Sequence, residues 1–200
     1  MGRPREFDEE KALEAVRAEF CSKGFTATSV DDLARVTGLG KGSLYGAFGD
    51  KHHLFLSVLK MFCEEKQAQA QEDLDNERPA IQRLRALFRR SCKAKDDNTP
   101  YRGCLLANST TELASHDSDV RDLARQTYKV VEALIVDAVQ QAQQDGDLAP
   151  DVRPEELARL LLAVRQGLEF FSKTGMSDEE LDTIRQAVDH LLLGQKYASK

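Results

Sequence analysis

The chain has few of the features that mark a membrane protein, a metalloprotein or an enzyme. No stretch approaches eighteen consecutive apolar residues and residues 1–10 have no apolar core, so neither a membrane span nor a secretory leader is expected. There is no strand-period segment, phosphate-binding glycine loop, dinucleotide-binding fingerprint or internal repeat. The four cysteines, Cys21, Cys63, Cys92 and Cys104, show no CxxC or zinc spacing, and no ligand set surrounds His52 and His53. No metal and no cofactor is expected, and no nucleophile, base and orienting group can be brought together as an active site. The expected place is the cytoplasm, where thiols stay reduced.

What is present is an ordinary soluble composition, 41% hydrophobic and 31% charged over 200 residues, enough for one or two domains with a real core. The net charge of −6 is unevenly spread: residues 1–100 carry 17 Lys/Arg against 17 Asp/Glu, and residues 101–200 carry 11 against 17. The acidic excess therefore lies wholly in the second half. Any polyanion would have to meet local positive charge in the first half, from Arg3, Arg5, Lys41, Lys51 and helix N-termini. The arginines of GRPRE can belong to an arm that reaches phosphates or to a plain tail.

The most informative stretch runs from Thr28 to Lys51, TSVDDLARVTGLGKGSLYGAFGDK. Ser29 followed by Asp32 is a helix-start signal, and Val30, Leu33 and Ala34 give that helix one face to bury. Gly38 ends it, and a second helix opens at Gly40 or Lys41 with Leu44 and Phe48 as its inward ridge. Its other face is Gly42, Ser43 and Gly46, with Tyr45 at the edge. Two glycines in so short a helix cost about 1 kcal/mol each relative to alanine. A bare face is useful where the backbone must press against something, and a DNA major groove admits a helix. Ser43 can reach base or phosphate there, and Lys41 can pair with a phosphate. The pattern reads as a helix-turn-helix, although a helical hairpin inside a core would use many of the same residues. Ahead of it, Ala12, Leu13, Val16 and Phe20 predict a helix from Asp8 to Lys23 stopped by Gly24, with Phe25 closing the joint.

The run GFTATSVDDLARVTGLGKGSLYGAFGDKHHLF resembles the DNA-binding domain of TetR-family transcriptional regulators over roughly residues 5–60. The resemblance implies an all-α fold of about nine helices. Residues 1–50 would form a three-helix DNA-binding domain, and residues 51–200 a ligand-binding and dimerisation domain. It implies double-stranded operator DNA as partner, with Thr28 and Ser29 on phosphates, Gly40, Lys41, Gly42, Ser43 and Gly46 at the groove, and Tyr45 and Lys51 on flanking phosphates. At Gly46 and Ala47 the chain departs from the bulkier side chains common in the family, so readout would lean on Ser43, Lys41, backbone approach and DNA shape.

The second half is helical in pattern. Asp50 can cap a long helix with Leu54, Val58, Met61 and Phe62 on its apolar side, turning polar through Gln67–Gln71. Next come a helix with Ile81, Leu84, Leu87 and Phe88 on one face, an element opened by Tyr101, and a long helix from Asp119 to Gln144 carrying Leu123, Val130, Leu134, Ile135 and Ala138. The last pair carries Leu157, Leu160, Leu161, Val164, Leu168 and Phe171, then Leu181, Ile184, Val188, Leu191 and Leu192. That is apolar surface on two sides, so the pair is expected to bury one side inside and the other against a second copy. The corresponding pair in TetR-family proteins forms a homodimer interface. A two-fold dimer also suits a reader of near-palindromic DNA.

The segment Arg102-Gly103-Cys104-Leu105-Leu106-Ala107-Asn108 with Glu112-Leu113-Ala114 resembles a subgroup of these regulators with a Gly-Cys pair, parts of which sense reactive molecules through a cysteine. A helix N-terminus and Arg102 beside Cys104 would lower its thiol pKa. A noncovalent effector site is the other expectation, lined by Phe62, Phe88, Tyr101, Asn108, Tyr128, Gln166 and Phe170. Two readings stand at this point: a homodimeric regulator, chiefly a repressor, released by a small-molecule or electrophilic effector; or a ligand- or redox-responsive helical protein whose helix-turn-helix is a scaffold.

Overall fold

The computed structural model describes residues 8–89 and 104–194, and within them it is all-α. The helices are α1 Glu9–Lys23, α2 Val30–Thr37, α3 Lys41–Phe48, α4 Lys51–Leu74, α5 Ala80–Arg89, α6 Leu105–Leu113, α7 Ser118–Gln144, α8 Pro154–Lys173 and α9 Asp178–Gly194. The start signals do what their chemistry requires: Asp8 caps α1 through the Lys11 N–H, and the Asp50 carboxylate accepts from the His53 N–H at 2.8 Å at the start of α4. Arg3, Arg5, Cys92, Tyr101 and Arg102 lie outside the described residues.

The chain divides into two compact units. One runs up to Cys63 and resumes with Cys104–Ala124; the other takes up the chain from Glu64 and again from Arg125. The first unit therefore contains α1 to α3, the first half of α4, α6 and the opening of α7. Its core is built on Val16 and Phe20 of α1, Leu33 of α2, Leu44 of α3, Phe55, Val58 and Leu59 of α4, and Leu105 and Leu106 of α6. Phe20 meets Phe55 edge to face at 5.1 Å, and Phe25 lies 4.8 Å from Phe55, so three aromatic rings close the joint between α1, the α1–α2 corner and α4. Phe55 and Leu59, absent from the apolar side read for α4, belong to its most buried residues, while Met61 is only half-buried.

The second unit packs Leu84, Leu87 and Phe88 of α5, Ile135, Ala138 and Val139 of α7, Leu157, Leu161 and Leu168 of α8, and Leu181, Val188 and Leu192 of α9 into one core. Val130, expected on the buried side of α7, is instead exposed. The register explains the correction: α7 buries Val131, Ile135, Ala138, Val139 and Ala142, and that face passes Val130 by. No helix among the described residues is long and apolar enough to cross a membrane.

Candidate nucleic-acid interface

The helix-turn-helix is assembled by its caps. Ser29 begins α2 with extended backbone; its hydroxyl accepts from the Asp32 N–H at 3.1 Å, and the Asp32 carboxylate accepts from the Ser29 N–H at 3.0 Å. This reciprocal box satisfies two backbone donors that the first turn would otherwise leave open. Asp32 also receives Lys23 and Arg35, each at 2.8 Å. Lys23 first, then the Ser29 hydroxyl and Arg35, hold this carboxyl well below the usual carboxylate range. Asp32 thereby ties α2 to the end of α1. The turn follows at Gly38, whose φ of 69° is left-handed, a conformation that a side chain disfavours.

Beyond the turn, Gly40 caps α3 with no side-chain bond, and Leu44 is the side chain that anchors α3 inward. Gly42, Ser43 and Gly46 are exposed, and Tyr45 stands at their edge 43% exposed. A methyl group built onto Gly40, Gly42 or Gly46 would meet nothing within 4 Å, and none of the three has a positive φ. Nothing inside the fold therefore requires glycine at these places. Lys41, at the N-terminus of α3, pairs with Asp31 at 2.6 Å, and that hydrogen bond raises its pKa, so it is a full cation at neutral pH. Both partners are largely exposed, which makes the pair weak and open to exchange for a phosphate.

Two of the expected phosphate contacts are drawn inward. Thr28 is 1% exposed, and its hydroxyl donates to the Gly24 carbonyl at 2.6 Å, so its side chain braces the α1–α2 corner. The Lys51 ammonium, half-buried, donates to the carbonyls of Phe25 and Thr28, each at 2.9 Å, and sits 4.2 Å above the Phe25 ring. Two of its three donors hold that corner. Exposed Ser29 and Tyr45 remain on the outer surface.

Sequence reasoning missed what braces the corner from behind. Glu112 of α6 accepts from the backbone N–H groups of Phe25 at 3.0 Å and Thr26 at 2.7 Å. Burial pushes its pKa up, but the Thr26 and Phe25 bonds and the Lys51 charge outweigh it, and the net shift is downward. At Gly24, φ is 81°, a conformation that a side chain disfavours, and an added Cβ would come within 2.7 Å of the Glu112 carboxylate and displace it. Asp117, ahead of α7, accepts from the Asp119 and Val120 N–H groups and lies 2.7 Å from His52 of α4. Burial raises its pKa, and the His52 and backbone bonds lower it further than burial raises it. No local pattern marks such pairs, because Glu112 lies 87 residues from Phe25 and Asp117 lies 65 from His52.

The residues expected around an effector are divided between the two units. Phe62 packs under the Arg17 guanidinium at 4.7 Å within the first unit, and Phe88 belongs to the core of the second. Cys104 caps α6 through its backbone and is 4% exposed, and Asn108 is half-buried. Tyr128 and Gln166 are brought together, the phenol donating to the Gln166 oxygen at 3.2 Å. Phe170 is 64% exposed. Among the described residues, no group of His, Cys, Asp and Glu could hold a metal ion.

The comparisons with known proteins agree with this geometry. The family model for bacterial regulatory proteins of the tetR family matches residues 12–58, and that for the Tetracyclin repressor-like C-terminal domain matches residues 80–188. The HTH-type transcriptional regulator YezE of Bacillus subtilis is 30% identical over 94% of this chain and 96% of its own. The HTH-type transcriptional repressor BdcR of Escherichia coli is 29% identical over 90% of this chain and 86% of its own. Among solved structures, a TetR-family regulator from Cytophaga hutchinsonii superposes with a TM-score of 0.84 at 19% identity, covering 98% of both chains. A cysteine mutant of the TetR-family regulator CifR, complexed with 26-base-pair operator DNA, superposes with a TM-score of 0.79 at 27% identity, covering 94% of this chain and 98% of that one. With both family models matched and their joint span bracketing the helix-turn-helix and the helices behind it, the chain belongs to the TetR family of transcriptional regulators.

Proposed function

We propose that the chain acts in the cytoplasm as a homodimeric repressor, reading a near-palindromic operator with two copies of α3 and releasing it when an effector occupies residues 51–200. In this reading residues 1–50 are the DNA-binding domain. The observation that carries it is the outer face of α3: Gly42, Ser43 and Gly46 exposed, open space where their side chains could be, a cation at Lys41 and a phenol at Tyr45. A helix that keeps two unneeded glycines gives up about 1 kcal/mol at each, a cost explained if its backbone must approach an outside partner closely. Lys41 would leave Asp31 for a phosphate, Ser29 and Tyr45 would meet flanking phosphates, and Gly40 would open the groove-facing end. Thr28 and Lys51 would act by holding the corner that aims α2 and α3, Lys51 keeping one donor for a phosphate.

Dimerisation is supported by Leu160, Phe170 and Phe171 of α8 and Leu191 of α9, which leave apolar surface exposed on helices already packed on their other side. For the effector, Tyr128 and Gln166 supply polar groups next to an apolar core. A reactive effector acting on Cys104, as in the Gly-Cys subgroup, would first have to reach a buried thiol. Either effector would work by favouring a conformation whose two reading heads no longer match the operator spacing.

The test is binding of the purified protein to the DNA upstream of its own gene across a salt series, with Lys41→Ala and Tyr45→Ala alongside. Tight, salt-sensitive binding that competitor DNA does not remove, weakened by both substitutions, is the expected result. An unbiased selection from random DNA that returns no preferred sequence would leave the helix-turn-helix as a scaffold.

A further inference from the structure

Within the second unit, a polar group is buried among α4, α7 and α8 where an apolar core would be expected. Lys66 of α4 donates to Glu169 Oε1 of α8 at 2.7 Å, and the two side chains are 18% and 7% exposed. The other carboxylate oxygen, Glu169 Oε2, is fully buried and has no hydrogen-bond partner. One turn earlier on the same helix, Arg165 Nε is likewise buried without an acceptor. The neighbouring polar side chains are engaged with one another: Tyr128 donates to Gln166, and Gln67 to Thr127, which is 1% exposed.

A buried carboxylate oxygen with lone pairs unused is costly, and native proteins keep such atoms where something else completes them. The charges limit what that can be. Lys66 already neutralises Glu169, and Arg165 leaves the group with one positive charge in excess. A cationic ligand would add a second charge that nothing in the cluster compensates. A second anion would stand against the carboxylate. A neutral group that donates avoids both penalties, giving its N–H or O–H to Glu169 Oε2.

We infer that Glu169 Oε2 is the polar anchor of an effector site in this unit, and that the effector is a neutral small molecule binding through a hydroxyl or a primary carboxamide. This rests on the reading of the chain as an effector-released repressor, and it names the effector's chemistry. It also gives a reason for a buried Lys–Glu pair in a unit whose core is chiefly aliphatic. The pair holds one carboxylate oxygen in place and leaves the other for the ligand.

The experiment is calorimetric and amide-NMR titration of the full chain with matched probes: benzyl alcohol against benzyl methyl ether, and benzamide against N,N-dimethylbenzamide. The donor-bearing member of at least one pair is expected to bind saturably, at least tenfold tighter than its methylated partner, with shifts centred on α8 around Glu169. Glu169→Gln then gives a result that a purely structural role would not. Lys66 must keep an acceptor, so the amide oxygen stays on Lys66 and the NH2 takes the place of Oε2. The donor preference should collapse or reverse toward the methylated member. Should that variant fail to fold, the pair comparison in the natural chain stands alone. Saturable binding by none of the donors, equal binding within each pair, or an unchanged preference in folded Glu169→Gln overturns the inference, and a bound water would then be the plainer partner for Oε2. Operator release is read separately. A probe that binds with the stated preference but leaves the DNA complex intact confirms the site and counts against the effector reading.

Discussion

Helices α3 and α8 each present an outer face that nothing in their own unit covers, and the two faces have opposite chemistry. That of α3 is stripped to Gly42, Ser43 and Gly46, with Lys41 and Tyr45 at its margins. That of α8 carries Leu160, Phe170 and Phe171. Behind each lies an ordinary core, Leu44 in one and Leu157, Leu161 and Leu168 in the other. Both faces suit an outside partner, and the side chains say which kind. Small residues beside a cation suit close approach to a charged backbone. Large apolar ones suit a second apolar surface.

That contrast can be broken at either end. The largest effect is expected from α8: Leu160→Glu combined with Phe170→Glu should give a monomer in sedimentation, with the first unit still folded. Losing the second reading head should weaken operator binding by about 100-fold or more, the usual worth of linking two binding modules. A dimer that survived both charges would place the interface elsewhere. Next comes Lys41→Ala, expected to weaken operator binding by roughly tenfold while lowering the salt dependence by about one counterion. Loss of affinity with no change in slope would mean that Lys41 acts by holding Asp31.

A smaller effect should come from Glu112→Gln, which keeps shape but gives up the charge that accepts from Phe25 and Thr26. Thermal or denaturant unfolding should register a loss of about 1 kcal/mol. The pH dependence has a definite sign. Glu112 has a folded pKa below its ordinary 4.5, so it contributes stability above that pH and loses it as pH falls through the folded value. The variant should lose that part of the acid sensitivity, and an unchanged acid limb would show the carboxylate to be dispensable.

Much of the first unit was legible because its signals are local. Ser29 with Asp32, Gly38, Gly40 and Asp50 act within a few residues of themselves, and each stands where its chemistry places it. The inward ridges of α5, α8 and α9 were equally legible from helical spacing. What could not be read is set by packing at a distance. Val130 fits the apolar stripe of α7 as well as its neighbour Val131 does, and packing chooses Val131, while Leu134 and Ile135 both lie against the core as expected. Lys51 and Thr28 look like surface polar residues until the Phe25 corner folds over them. Glu112, Asp117 and Glu169 find partners 65 to 103 residues away, with no spacing rule to announce them. Aromatic residues were the least informative, since Phe62 and Phe88 are buried in different units and Phe170 is exposed, though all three share a residue type.

The central claim, that α3 keeps its glycines for a partner outside the chain, is tested most directly by Gly46→Ala, measured for both stability and operator affinity. Open space around Gly46 and a helical backbone mean that alanine should fit without strain. The account predicts opposite signs: a gain of about 1 kcal/mol in unfolding free energy together with weaker operator binding. A more stable protein that binds the operator as well as before would contradict it, because the glycine would then serve neither the fold nor the DNA.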